Sequence, residues 1–190
     1  MKTRSLLFFA LGVMGVLILL AALFPHLLVA LLYQPGLYPH VLFAHILSTT
    51  LFFANAVVGI LWEARSLATG RKEIIFHTYS TVAWLDARFS TVLIVLSVLT
   101  GISLGVTIGG IWQFGWLSSS FILFLISGVI WVISDIPTQY KVNRLKETED
   151  PSSVGISDEL RRVLKMRLGI SLAGVAPLLV VFILMVYKPL

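Results

Sequence analysis

Five long apolar runs separated by short polar stretches make up the chain. The first is Ser5 to Phe24, behind Lys2 and Arg4. The second is about Pro39 to Trp62, the third roughly Tyr79 to Ile108, the fourth about Trp116 to Ile136 and the fifth about Leu168 to Tyr187. Each can supply the ~20 apolar residues that carry an α-helix across hydrocarbon. The pattern predicts an all-α protein, a polytopic transmembrane helix bundle of five spans.

The punctuation between runs sets the boundaries. The basic start of the first run resembles a signal peptide, but its apolar core is too long and no small-x-small cleavage site follows. It reads as a retained helix that Pro25 ends or kinks. His26 to Tyr33 either continues that helix or lies along the outer interface. Gln34-Pro35-Gly36 is a turn, and Pro39 suits a first helical turn, where its missing N–H costs nothing. Glu63 to Lys72 is polar, includes Gly70 and reads as a loop. Gly109-Gly110 closes the third span, Ile111 to Gly115 makes a short turn, and Pro137 ends the fourth. Ser157, followed by Asp158 and Glu159, marks the start of a helix that feeds the fifth span, which Pro177 kinks. The chain thus divides into an N-terminal helix with its outer turn, 1–36, and a four-helix membrane core, 37–190, with a loop at 139–160.

Composition agrees. Hydrophobic residues make up 58% of the 190 and charged residues only 12%, so little is left for a soluble domain. A net charge of +5 would suggest nucleic acid in a soluble protein. Here the basic residues flank apolar runs, so they bear on topology, nucleic acid is not expected, and the lipid bilayer is the surrounding partner. One side of the five spans holds Lys2, Arg4, Arg65, Arg71, Lys72, Lys141, Arg144, Lys146, Arg161, Arg162, Lys165 and Arg167; the other holds only Lys188. That bias predicts a cytoplasmic N-terminus, a cytoplasmic 139–160 loop and an outside C-terminus. Tyr33, Tyr38, Trp112 and Trp116 suit an outer aromatic belt. The chain has no cysteine, which excludes disulfides and thiolate chemistry.

Lipid offers no hydrophobic force between helices, so close packing must hold them. Ser97, Gly101, Gly105 and Gly109 recur every four residues on the third span, and Ser120, Ser127 and Ser134 every seven on the fourth. Both stripes predict faces turned toward neighbouring helices.

The polar residues within the spans are the candidate site. Asp86 lies about two turns inside the third span, where a carboxylate costs at least ~2.5–3.5 kcal/mol unless paired, protonated or hydrated. It shares a stripe with Ser90 and Ser97. Asn55 on the second span sits at similar depth, which makes an Asn55–Asp86 hydrogen bond plausible. Arg88, two residues from Asp86, cannot face it on a helix; Glu63, Asp135 or lipid phosphate are its expected partners. The cluster is either a buried network that sets helix register or a proton or ligand site open to the cytoplasm.

Four histidines offer a second chemistry. Bis-histidine haem b needs two ligands at similar depth on facing helices. His45 and His26 satisfy depth near the outer end, with His40 also near that end, whereas His77 lies at the cytoplasmic end. No complete catalytic motif, nucleotide-binding loop or metal site stands out, and no cofactor is predicted beyond this haem alternative.

From residue 40 onward the chain resembles an uncharacterised bacterial family of predicted integral membrane proteins with a four-helix core, a domain of unknown function. The matching stretches are HILSTTLFFANAVVGILWEAR, with His45, Asn55, Gly59 and Trp62; WLDARFSTVLIVLSVLTGISL, with Asp86 and Gly101; and GWLSSSFILFLISGVIWVISDIPTQ, with Trp116, Gly128, Trp131 and Pro137. The resemblance covers roughly residues 40 to 188. It implies a four-helix core in the bacterial cytoplasmic (inner) membrane, to which the first span is an addition. More distantly, the layout is similar to the copper-resistance protein D family and the four-helix membrane protoporphyrinogen oxidases, in which an early histidine, here at the place of His45, binds haem. The expected role is a non-enzymatic accessory or assembly component working with other membrane protein subunits. A haem-b or proton-coupled redox protein and a small transporter are the alternatives. A transporter would show inverted repeats and broken midplane helices, and no clear repeat is present.

Overall fold

The computed structural model describes residues 3–24, 27, 35–150 and 152–189, apart from the side chains at 3–8, 10, 11, 35, 135 and 136. Among the described residues the regular structure is entirely helical. Helix α1 spans Thr3–Leu23 and α2 Tyr38–Ala68, entered through a single 3₁₀ turn at Pro35–Leu37. Helix α3 covers Lys72–Thr107, α4 Gly115–Thr148 and α5 Asp158–Tyr187. Helices α2 to α5 are each long and apolar enough to cross a membrane.

Three boundaries differ from the sequence expectation, all at the end of the bundle that carries most of the basic residues, here the basic end. Glu63 to Ala68 is helical rather than a loop, and the turn is confined to Thr69–Arg71, where Gly70 takes φ +67°. Helix α3 begins at Lys72, not near Tyr79. Pro137 does not end the fourth helix, which continues to Thr148. A π-helical turn at Trp131–Asp135 precedes that proline. The wider turn relieves the ring's clash with the carbonyl four residues back and leaves no α-type bond for the missing N–H to break. All three differences have one cause: apolarity locates the lipid-crossing part of a helix, but the helix stops only where its backbone loses partners.

The projecting helix ends have something to bury. Leu67, Ile75, Tyr79, Val142, Leu160, Val163 and Leu164, with Ile156 of the intervening loop, form one packed cluster. Ile75, Leu160 and Leu164 are at most 1% exposed. Where water surrounds the bundle, the hydrophobic effect can drive such packing.

Deeper in the spans the contacts change character. Helices α2 and α3 meet through Ser48, His45, Ser97 and Gly101, with Ser97 Oγ donating to Ser48 Oγ at 3.0 Å. Helices α4 and α5 meet where Ser127 Oγ donates to the Gly174 carbonyl at 2.6 Å. That carbonyl is next in the chain to the Ala173 carbonyl, which Pro177 leaves without a helical N–H. The Gly105–Gly110 segment ends α3, with Gly109 and Gly110 at φ +101° and +106° and the Gly110 N–H on the Gly105 carbonyl at 2.8 Å, a C-terminal closure that glycine permits.

In the core, α2 packs on α3 and α5, and α5 on α4. Helix α1 lies along α3, and its Met14, Leu17, Ile18 and Ala21 share a cluster with Val98 and Ile102 of α3 and with Phe121 and Phe124 of α4. It therefore fills the seam between α3 and α4. Large apolar side chains such as Phe43, Leu61, Ile133 and Val186 face outward, each more than half exposed, as lipid-facing residues would.

The loop before α5 is pinned to the α2–α3 turn, with the Lys72 N–H on the Val154 carbonyl at 3.1 Å and the Lys72 ammonium on the Asp150 carbonyl and Ser153 Oγ. The Ser152 N–H and hydroxyl donate to the Asp150 carboxylate and hold its pKa below the usual carboxylate range. Ser157 caps α5 by accepting from the Leu160 N–H, while its own N–H and hydroxyl go to Glu149. Ser157→Ala should cost about 1 kcal/mol, the usual worth of a helix cap. Hydrogen exchange should accelerate first in the turn after Asp158, and unchanged protection there would refute the cap's role.

Candidate functional site

The inner faces of the helices converge on one guanidinium. On α5, Leu160, Val163, Leu164 and Arg167 follow the i, i+3, i+4, i+7 spacing of a single buried face. Arg167 is therefore carried inward by the same register that buries the leucines. Its Nη2 lies 3.2 Å from Glu63 Oε1 of α2, and the two side chains are only 4% and 2% exposed. With its amide oxygen turned inward, Gln139 of α4 accepts from Nη1 at 3.1 Å and Nη2 at 3.2 Å. Tyr79 of α3 lays its ring 5.8 Å from the guanidinium carbon, and its hydroxyl is buried with no hydrogen-bond partner among the described residues. All four core helices thus contribute to one charged centre.

Next to this centre a cleft opens into the bundle. A cavity of about 420 Å³ is walled by all five helices, with Gly15 of α1, Asn55 and Gly59 of α2, Ile94 of α3, Gly128 of α4 and Gly174 of α5 on its surface. Glu63 and Arg167 lie on its wall, as do Asp86 and Ser90. Most of the lining is apolar, and the volume falls in the range of small-molecule sites. Both π-helical turns, Asp86–Ser90 and Trp131–Asp135, border the cavity. Such turns are rare and gather at functional sites.

The expected cluster takes a specific form. Asn55 Nδ2 donates to Ser90 Oγ at 2.8 Å, and Ser90 Oγ donates toward Asp86 Oδ1 at 3.5 Å. The contact between Asn55 and Asp86 thus runs through Ser90 rather than directly, because the antiparallel helices bring Asn55 level with Ser90. The π turn holds Asp86 in place, with the Thr91 N–H and hydroxyl both directed to the Asp86 carbonyl.

Of the three partners expected for Arg88, Glu63 is taken by another residue. Arg88 is exposed on the outer face, its guanidinium carbon 5.2 Å above the Trp84 ring, and Glu63 is held by Arg167 instead. A side chain on a helix leans toward the N-terminus, so Arg88 reaches back one turn along the outer face to Trp84, away from the interior. The Asp135 side chain lies outside the described residues.

His45 is built into the α2–α3 contact. Its Nδ1 stands 3.1 Å from both the Ser97 carbonyl and Thr100 Oγ1, and a Cβ on Gly101 would come within 2.9 Å of its Cε1. Nε2 is the nitrogen left for a haem iron. The other ligand considered, His26, lies outside the described residues, while His40 and His77 are exposed at opposite ends of the bundle.

Sequence reasoning missed Arg167, Tyr79 and Gln139 as members of the site. The signal for Arg167 was its place on the apolar stripe of α5, overlooked because basic residues near a span are ordinarily counted for topology. Tyr79 and Gln139 carried no comparable signal, since their partner was unknown.

Removing one member of the pair strands a buried charge. Glu63→Gln or Arg167→Met alone should cost about 3–5 kcal/mol, whereas the double variant should recover most of that loss. Thermal unfolding of the purified variants reads this, and additive losses would show that the two do not act as a pair. Gly101→Val should destabilise by about 1–3 kcal/mol through overpacking against His45. In a His45→Ala background the same substitution should cost clearly less, and equal costs in both backgrounds would refute the contact.

A family model described as a predicted integral membrane protein (DUF2269) matches residues 39–189. That range takes in α2 to α5 and leaves α1 outside it. No curated protein and no solved structure matches the chain.

Proposed function

The chain belongs to this family of predicted integral membrane proteins, and from that premise we propose that it is a non-enzymatic accessory component of the bacterial cytoplasmic membrane that holds a small ligand in its central cavity. The observation that carries the reading is the cleft itself. A cleft of about 420 Å³ reaches in among all five helices, and Gly15, Gly59, Gly128 and Gly174 border it.

The orientation follows from charge. With Arg167 buried between the helices, eleven lysines and arginines lie on one side of the spans and one on the other, which favours a cytoplasmic basic end. The Glu63–Arg167 centre then sits toward the cytoplasm, between the cavity and the packed helix ends. Because the chain has no cysteine, single cysteines report topology cleanly. Ser152→Cys should resist a membrane-impermeant maleimide in intact cells and react after permeabilisation, and Gln113→Cys should react from outside. The reverse pattern would overturn the orientation.

For the ligand, mass spectrometry of protein extracted from native membranes should find one non-protein species at close to one per chain. Gly128→Leu, which adds bulk where a Cβ meets nothing within 4 Å, should remove it while leaving the fold intact. Extraction of both proteins with identical small-molecule content would sink the reading. A Soret band in the purified protein would instead favour the haem alternative through His45.

A further inference from the structure

Away from the cleft, we infer that the outer face of α3 at the basic end holds the headgroup of a net-anionic phospholipid, with its phosphate against Trp84 and between Arg88 and Lys146. The first support is depth. Exposed aromatic side chains mark two levels on α2, Tyr38 at the end away from the basic residues and Trp62 near the basic end. They are about 24 residues apart, or about 36 Å of helix. Trp116 and Tyr140 on α4 repeat that spacing, and so do Trp84 and Ile108 on α3. Three helices thus agree on a thickness between the roughly 30 Å of hydrocarbon and the roughly 40–45 Å of a whole bilayer, where interfacial aromatics gather. Arg88 is one turn nearer the middle of the spans than Trp84, yet its guanidinium leans back over that ring. Its charge therefore sits at headgroup depth.

The second support is a pair of cations that meet on this face. Ser80, Trp84 and Arg88 follow one another at four-residue steps and are all exposed. Lys146 reaches across from α4, and its ammonium donates to Ser80 Oγ at 2.9 Å and to the Phe76 carbonyl at 3.3 Å. Ser80 and Trp84 are one turn apart, with Cβ atoms about 5–6 Å from each other. The Arg88 guanidinium carbon is 5.2 Å from the centre of the Trp84 ring. The two cations thus flank the ring, one on the membrane side and one on the water side, within the span of a single headgroup.

The third support is what these cations leave unanswered. Among the described residues neither belongs to an ion pair, although Glu147 follows Lys146 in the chain and Glu73 begins the exposed stripe of α3. Asp86 lies on the cleft side of α3 rather than here. Arg88 makes no hydrogen bond within the described protein, so its five donors are open, and Lys146 keeps one of its three. Arginine matches phosphate oxygens two at a time, and basic pockets between membrane helices are the usual sites of anionic headgroups. Two positive charges with no acid paired to them favour a headgroup of net negative charge, because the cationic end of a zwitterionic one would be repelled.

The test follows thermal unfolding of the detergent-purified full chain as dioleoylphosphatidylglycerol, dioleoylphosphatidylcholine or inorganic phosphate is added. Phosphatidylglycerol should raise the unfolding temperature saturably, at a half-saturating concentration at least tenfold below that of phosphatidylcholine. Inorganic phosphate should leave the temperature unchanged. Arg88→Gln and Lys146→Gln should each raise the half-saturating phosphatidylglycerol concentration at least fivefold. Arg65→Gln, which removes an exposed cation from α2, should change it less than twofold. Native mass spectrometry reads binding apart from stability, and should find one phosphatidylglycerol kept by the unsubstituted chain and lost from Arg88→Gln. Equal half-saturation by the two lipids would overturn the preference for net negative charge. A matching rise with inorganic phosphate would overturn the assignment to lipid in favour of a free anion. Arg65→Gln weakening the effect as much as Arg88→Gln would reveal diffuse attraction to the basic end and overturn the site.

Discussion

The ion pair between Glu63 and Arg167 is the interaction on which the bundle's geometry turns. Burying both charges is expensive, and their attraction offsets the loss only with good geometry and further hydrogen bonds. Those conditions are met by residues from every core helix, with Glu63 on α2, the Tyr79 ring on α3, the Gln139 amide on α4 and the guanidinium itself on α5. One charged group therefore sets the relative heights of four helices. A helix that slid by a single turn, about 5.4 Å, would leave a charge without its partner.

The pair also separates two regimes of packing. On one side of it lies a conventional hydrophobic cluster around Ile75, Leu160 and Leu164, in a part of the bundle that extends past the apolar spans. On the other side, helices are joined by serines, glycines and His45, with hydroxyls bonded across helices to other hydroxyls or to carbonyls. The change follows from the solvent. Water rewards apolar burial, whereas lipid does not distinguish a leucine facing another helix from one facing a tail. The cavity occupies the second regime, where neighbouring side chains have little drive to fill it.

Much of the fold was legible along the chain. The apolar runs located five helices, Gly109-Gly110 marked the end of α3, and Ser157 marked the start of α5. The helix ends beyond the apolar runs were less legible, because polarity there reflects water around a helix as readily as it reflects a loop. Within the candidate site, Asp86, Asn55 and Ser90 drew attention individually through the cost of polar groups in lipid. Their joining through Ser90 depended on the vertical offset between antiparallel helices, which no local pattern encodes. The partner of Glu63, offered as one of three alternatives for Arg88, was hidden for a similar reason. Arg88 is near in depth but points outward, while Arg167 is 104 residues away and points inward.

By itself, then, the sequence determined that this chain is a bundle of membrane helices, where those helices cross and how its basic charge is distributed, because hydropathy and charge act residue by residue. Tertiary structure alone decided which polar groups meet, how far the helices run past the apolar spans, that α1 closes the seam between α3 and α4, and that all five helices line one cleft. Those features depend on helix rotation and height, and in lipid these are set by contacts between surfaces rather than by any property that a single segment carries.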